Sequence, residues 1–293
     1  MKKRNRLGPC RVAIILMVIL LALAAAIYYF FFLNRPGKSY PYWMKEEGSV
    51  RLATLNVNGF RSLSSANLTG EFLLNTLRTN EVDILLMQEY RSVWKFEEAD
   101  FRSIFSELYP YIIVDGEQVV LSRYPVVDHR LYDFDFSPDS FASNVISGPD
   151  GREINLISVH LQTTGLFFFA KGTSKSSTLP IILQTMRENR KARIAQALQV
   201  RSVVEASQYP VLLAGDFNSL PLTRVYSKIR RAGLTDAFLE KGSGSGSTYR
   251  ALKDFLRIDY IMPDKNFDCL DCKVSQDFLS DHRMVLSTLR LRR

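Results

Sequence analysis

Of its 293 residues only three are cysteine and three histidine. Cys269 and Cys272 form a lone C-x-x-C with no second pair, so a four-cysteine zinc site is excluded. Two ordinary thiols or one local disulfide remain open. Internal repeats are absent, which removes solenoids and propellers. A one-signed charge excess is also missing where it would matter. The formal net charge is +8, but residues 1–11 carry five basic and no acidic side chains, and residues 34–47 carry three basic and two acidic ones. Only +2 is left for residues 48–293, so the basic balance gives no argument for a nucleic-acid partner.

What the chain does have is one long apolar run. Val12 to Leu33 is 22 residues without a charge. As a helix it would span roughly 33 Å, enough to cross a bilayer core. Tyr28 and Tyr29 near its end suit an interfacial aromatic belt. A cleaved signal peptide competes with this reading, because Ala22-Leu23-Ala24 is an A-x-A pattern. The run continues nine residues past Ala24, which favours an uncleaved anchor. Lys2, Lys3, Arg4, Arg6 and Arg11 precede it, so the positive-inside rule places residues 1–11 in the cytoplasm and the rest outside. The expected localisation is a single-pass membrane protein with a periplasmic or extracytoplasmic domain. Residues 34–49 read as a linker and 50–293 as one domain.

Within that domain strand-like and helical runs alternate. Residues 50–57, 82–89, 111–114, 118–127, 140–147, 151–161, 211–215, 256–262, 269–275 and 284–291 read as strands; 68–80, 94–108, 186–207 and a short piece around 222–231 read as helices. The pattern predicts an α/β (α+β) domain whose sheets are largely antiparallel. Residues 163–185, with the run Leu166-Phe167-Phe168-Phe169, look like an insertion loop, and KGSGSGS (241–247) like another loop.

Polar side chains recur where these apolar runs end. TLNVNG supplies Asn56 and Asn58, LLMQEY supplies Gln88 and Glu89, and ISVHLQ supplies His160. LLAGDFN carries Asp216 and Asn218, LRIDYIM carries Asp259, and FLSDHRMV carries Asp281 and His282. Turn chemistry alone explains Gly215 and Pro221. Carboxylates, carboxamides and imidazoles have no reason to collect in a core, however. Residues two apart on an extended segment point the same way, so Asp216 and Asn218 can face one phosphate. The acids supply hard oxygen ligands suited to Mg²⁺, Mn²⁺ or Ca²⁺. Imidazoles held by carboxylates move protons near neutral pH. Together they describe hydrolysis of a phosphate ester by activated water.

In order, TLNVNG, MQE, LSRYP, SVHL, AGDFNS, RIDYI and SDHRMV resemble the motifs of the endonuclease/exonuclease/phosphatase superfamily, over about residues 50–293. The group includes exonuclease III-like enzymes, deoxyribonuclease I, neutral sphingomyelinases and inositol-polyphosphate 5-phosphatases. The resemblance implies a four-layered αββα sandwich with its site at one end of the paired sheets. It implies that Glu89 is the principal metal-binding carboxylate, with Asn56 near the metal and Asp281 a further ligand. His282 matches the histidine beside the scissile phosphate and Asp259 its orienting partner. Asp216 and Asn218 match the pair that positions water and holds phosphate oxygens, and His160 the second histidine of the deoxyribonuclease and sphingomyelinase branches. Arg123 sits where many members have a substrate-side arginine. Asn58 and Gln88 read as neighbours of these residues, and Thr248 and Tyr249 as candidates to line a substrate channel. The expected cofactor is Mg²⁺, or Mn²⁺ with Ca²⁺ possible. The expected substrate is nucleic acid or a phospholipid head group, and no protein partner is expected. A phosphatase, or a non-catalytic tethered module on the same fold, is the alternative.

Overall fold

The computed structural model describes residues 9–28, 45–60, 66–90, 97–135, 137–164, 179–243, 245–250, 255–277 and 279–293. An N-terminal helix, α1, covers Pro9–Tyr28. Among the described residues no helix is long and apolar enough to cross a membrane. The side chains described in α1 begin at Ile14, and residues 29–33 of the apolar run lie outside the described set.

The remaining elements form two facing sheets with helices on both outer sides. In chain order they are β1 (Ser49–Asn56), α2 (Ala66–Thr79), β2 (Ile84–Gln88), α3 (Glu98–Phe105), β3 (Tyr111–Asp115), β4 (Gln118–Ser122), β5 (Val126–Asp133), β6 (Ser140–Ser147) and β7 (Glu153–His160). Then follow α4 (Leu179–Ala206), β8 (Val211–Asp216), α5 (Arg224–Arg230), α6 (Ala237–Lys241), β9 (Gly242–Ser243), β10 (Asp259–Pro263), β11 (Phe267–Val274) and β12 (Val285–Leu291). One sheet has the order β3-β4-β2-β1-β12-β11-β9 and the other β10-β8-β7-β6-β5. Most neighbours are antiparallel; the parallel pairs are β1–β2, β7–β8 and β11–β9.

Period-two alternation explains the layering. Val50 and Leu52 of β1, Ile84 and Leu86 of β2, Ile154 and Leu156 of β7, and Leu212 and Ala214 of β8 point into the core between the sheets. The odd-numbered β1 and β2 residues Ala53, Leu55, Leu85 and Met87 turn outward onto Leu73 and Leu77 of α2 and Phe101 and Phe105 of α3. Ile157, Val159 and Leu213 turn outward onto Ala197 and Val200 of α4 and Val225 and Ile229 of α5. Truncating a fully buried leucine such as Leu52 in the middle layer would cost roughly 2–5 kcal/mol.

Some sequence expectations need correction. Residues 118–127 are two strands, because the Ser122 hydroxyl closes a turn with Tyr124 and the chain changes sheets there. Residues 179–185 of the expected insertion are the first two turns of α4, while 165–178, including Leu166–Phe169, lie outside the described residues. Gly242 and Ser243 are not loop but a short edge strand paired with β11. Helix α6 was not legible; Asp236 caps it by accepting from the Phe238 and Leu239 amides. Cys269 and Cys272 are both buried and free, so there is no local disulfide.

Candidate active site

The inner face of each central strand changes character along its length. β1 runs Val50, Leu52, Thr54, Asn56; β2 runs Ile84, Leu86, Gln88; β7 runs Ile154, Leu156, Ser158, His160; β8 runs Leu212, Ala214, Asp216. Apolar residues fill the middle and polar ones gather at the carboxyl ends. Strand register then aligns the polar ends: Asn56 lies beside Gln88, His160 beside Asp216, and Asp216 beside Asp259 at the start of antiparallel β10. Beneath them is a buried polar floor. Gln88 Nε2 donates to Ser158 Oγ at 3.0 Å, Ser158 Oγ to Gln118 Oε1 at 2.6 Å, and Gln118 Nε2 to the Ser140 carbonyl at 3.0 Å.

Two similar turns set the first polar residues. Asn58 N donates to Asn56 Oδ1 at 3.0 Å after β1, and Asn218 N donates to Asp216 Oδ1 at 2.7 Å after β8. Both closing asparagines have positive φ, 46° in each case. The 216–218 segment is therefore a turn rather than extended, and the two readings of AGDFN are not exclusive. The turn carries the site: Asn218 Nδ2 reaches the Leu161 carbonyl at 2.8 Å and Asp216 Oδ2 at 3.3 Å. Glu89 also takes positive φ, 55°, a conformation that costs a non-glycine residue of order 1 kcal/mol or more. Hydrogen bonds from Val57 N to the Gln88 carbonyl and from Gly59 N to the Glu89 carbonyl hold it there.

The side chains converge on Asp216, which is 1% exposed. Asn56 Nδ2 donates to both Glu89 Oε1 (3.0 Å) and Asp216 Oδ2 (3.1 Å). His282 Nδ1 is 3.0 Å from both Asp259 carboxylate oxygens, which leaves Nε2 facing Asp216 Oδ2 at 3.8 Å. His160 Nδ1 is 2.9 Å from Glu117 Oε2, with Nε2 3.4 Å from Glu89 Oε1 and 4.0 Å from Asp216 Oδ2. Each imidazole is thus gripped by one acid and presents its other nitrogen to the same centre. The Thr248 hydroxyl accepts from the Ile258 and Asp259 amides and so fixes Asp259; the Tyr249 ring lies 4.7 Å from that of His282.

Electrostatics follow from burial among acids. Burial, then Asp259, push Asp216 up to about 7, against the pull of both histidines. At His160 burial favours the neutral ring, but Glu117, Asp216 and Glu89 overcome it and raise the imidazole to about 10. Asp259 and Asp216 do the same for His282, also to about 10. The Tyr249 hydroxyl is pushed up to about 12 by burial and then by Asp281, Asp216, Glu89 and Asp259. Asp281 directly precedes His282 and its carbonyl accepts from Arg250 N at 3.0 Å, which puts it at the same end of the sheets.

Asn56, Glu89, His160, Asp216, Asn218, Asp259, Asp281 and His282 are therefore brought to one end of the sandwich. Arg123 is not. It follows β4, whose Ser122 pairs with Ile84 at the opposite end of β2, and its guanidinium sits 3.6 Å from Asp83 and 5.9 Å over Tyr109. A role at the substrate is replaced by a structural ion pair. The third histidine, His129, is also elsewhere, bridging Asn144 (2.7 Å) and Asp115 (2.9 Å). Sequence reading missed Glu117 and Asp139, which flank His160 Nδ1 at 2.9 and 3.7 Å. Both lie in turns at strand starts, and only their spacing from an apolar run distinguishes them from ordinary turn acids.

A hard cation fits this donor set. Glu117, Asp139 and His160, and likewise Asp216, Asp259 and His282, place ligand atoms within 4.8 Å of one another. In both groups, though, the imidazole already binds a carboxylate. Glu89, with a side chain 26% exposed, is the carboxylate left open at the mouth. It has Asn56 against it and an excess of acids around it, the chemistry that suits a hard divalent cation.

Comparison with known proteins agrees with this fold. The family model described as "Endonuclease/Exonuclease/phosphatase family" matches residues 53–282. Among solved structures, an endonuclease/exonuclease/phosphatase from Beutenbergia cavernae superposes with TM-score 0.62 at 19% identity, over 83% of this chain and 72% of that one. A humanized D. rerio TDP2 gives TM-score 0.61 at 15% identity over 83% and 99%. A mannosyl-6-phosphatase of Bacteroides thetaiotaomicron gives 0.60 at 15% over 82% and 99%. A search of curated proteins returns no match.

Proposed function

Because this chain belongs to the endonuclease/exonuclease/phosphatase family, whose members are hydrolases acting on phosphoesters, we propose that it is a divalent-metal-dependent phosphodiesterase tethered to a membrane. The observation that carries the reading is the convergence of two acid-gripped imidazoles and Asn56 on one buried carboxylate, Asp216.

Glu89, with Asn56 and Asp281, would hold Mg²⁺ or Mn²⁺; Ca²⁺ suits the same oxygen donors. The bound ion supplies Lewis-acid polarisation of the phosphoryl group and neutralises its charge. The chain's own groups do the rest. His282 Nε2 and His160 Nε2 stand 3.8 and 4.0 Å from Asp216 Oδ2, too far for a direct hydrogen bond and right for one oxygen bridging them. Asp216, held by Asn218 N, orients the attacking water and accepts its proton. His282, its tautomer fixed by Asp259, donates Nε2–H to a phosphoryl oxygen as charge builds there. As the bond from phosphorus to the departing ester oxygen breaks, His160 assists proton transfer to that oxygen from the other side. The test is hydrolysis of bis-p-nitrophenyl phosphate with Mg²⁺ or Mn²⁺. Glu89→Ala and His282→Ala should each lower kcat by about 10²–10³-fold, the size of a lost transition-state donor. An unchanged rate in either variant sinks the assignment.

The tether, Val12–Leu33, supports a domain outside the cytoplasm with residues 1–11 inside. A surface-bound substrate such as a phospholipid head group then competes with nucleic acid. Offering plasmid DNA, RNA, sphingomyelin and inositol phosphates to the purified chain separates these substrates.

A further inference from the structure

Beside Asn218 the structure contains a cavity of about 270 Å³ that the chemistry above leaves unused. Its walls are apolar where α5 and the start of β10 meet, at Leu220, Val225, Leu256 and Ile258. Three arginines also line it: Arg190 and Arg193 from α4 and Arg224 from α5. Arg190 and Arg224 are exposed at the rim, whereas Arg193 is only 6% exposed.

Arg193 is an unusual tenant for such a wall. Its Nη1 donates to the Gln162 carbonyl at 3.0 Å, but its buried Nε has no hydrogen-bond partner among the described residues. No acidic side chain lies within ion-pair distance of it among those residues. Burial, and then Arg190, pull its guanidinium down to about 10, opposed only by the field of Asp216. A buried cation short of a partner is costly unless an anion completes it. Guanidinium forks suit tetrahedral oxyanions, giving paired N–H···O bonds that a lysine cannot.

Building on the proposed activity, we propose that this cavity is a second-phosphate subsite. It would bind a phosphate group on the substrate one unit away from the scissile one, through Arg193 with Arg190 and Arg224. The apolar wall takes the carbon skeleton between the two phosphates. Asn218 belongs to both the catalytic turn and the cavity, so the two phosphates would sit on either side of it. The recognised chemistry is a bisphosphate, which a nucleotide chain and a phosphorylated inositol head group both provide.

Binding is measured without turnover. The full-length His282→Gln chain, which should not turn substrate over, is titrated calorimetrically in detergent and Mg²⁺ with thymidine 3′,5′-bisphosphate, D-myo-inositol 1,4-bisphosphate and, for comparison, thymidine 5′-monophosphate. At least one bisphosphate should bind tenfold or more tighter than the monophosphate, and which one does identifies the substrate class. Arg190→Ala/Arg224→Ala, whose changes are at exposed positions, should reduce that preference to near one; Arg193→Lys should weaken it in a chain with unchanged circular dichroism. Arg78→Ala, on α2 of the opposite layer, should keep it. Equal affinity for mono- and bisphosphates, or a preference that survives the double substitution, overturns the subsite. These outcomes are independent of bis-p-nitrophenyl phosphate hydrolysis. A chain that binds bisphosphates through these arginines but never hydrolyses a diester would retain the subsite and lose the catalytic reading.

Discussion

His282 and His160 show how a single residue's surroundings decide its chemistry. Each is buried, which disfavours a charged ring, yet each is raised to about 10 because an acid grips Nδ1 and Asp216 faces the far side. A histidine raised from an unfolded value of about 6.5 stabilises the fold fully below that pH and loses its contribution as pH climbs through about 10. Asp216, raised to about 7, is still titrating at the lower end of this range, and its loss of stabilisation with rising pH runs in the same direction. The metal-free chain should therefore lose urea resistance between pH 7 and pH 10, and His282→Gln should flatten the loss. A midpoint that is constant or rising over this range would contradict the ion-pair geometry. Asp259 grips His282 Nδ1 at 3.0 Å and fixes its tautomer. Asp259→Asn should accordingly lower kcat far more than it raises KM, by on the order of 10²–10⁴-fold, because the imidazole loses its fixed tautomer. A change confined to KM would assign Asp259 to substrate binding.

Two parallel strand–helix–strand units, β1–α2–β2 and β7–α4–β8, deliver the site at the level of elements. In both, the chain leaves the first strand for a helix on the outer face and returns beside it, so two carboxyl ends finish together. β8 can finish so close to β7 because residue 215 is glycine. Its φ is +144°, and a Cβ there would lie 1.9 Å from the Val159 carbonyl oxygen. Gly215→Ala should therefore fail to yield folded protein, judged by circular dichroism and proteolysis. Asp236 is a second linchpin: it caps α6, accepts the Tyr226 hydroxyl, and pairs with fully buried Arg257 at 2.8 Å. Asp236→Ala should cost about 3–5 kcal/mol in urea unfolding at constant m-value, since it strands a buried cation. An effect below ~1 kcal/mol would mean that the pair is not coupled to folding.

These same elements explain what the sequence made legible. The strands of the sandwich core announced themselves as apolar runs, and their polar ends as Asn, Asp, Glu and His where apolar residues should continue. Chain direction was enough to put Asn56, Glu89, His160 and Asp216 at carboxyl ends. Glu117 and Asp139 were invisible because they begin strands, and only the antiparallel pairing of β4 with β2 and β6 with β7 carries such starts to the same edge. Arg123 was misplaced for the mirror reason: it ends β4, and antiparallel pairing carries that end away. A motif reports neighbours in sequence, whereas sheet register decides neighbours in space.

On the scale of the whole molecule, the proposed membrane tether would hold a near-neutral domain at a surface. Alkaline carbonate should leave the full chain in the membrane pellet and release residues 45–293 expressed alone; release of both would remove the tether. The sandwich brings an excess of carboxylates to one mouth, and that excess is the reason for proposing a divalent cation there. The most direct test is the initial rate of bis-p-nitrophenyl phosphate hydrolysis against Mn²⁺ concentration, for the unsubstituted chain and for Glu89→Gln. The rate should fall to background in EDTA and return with Mn²⁺, and the half-saturating concentration should rise at least tenfold in Glu89→Gln. Full activity in EDTA, or superimposable curves for the two chains, would contradict a metal-dependent site built on Glu89.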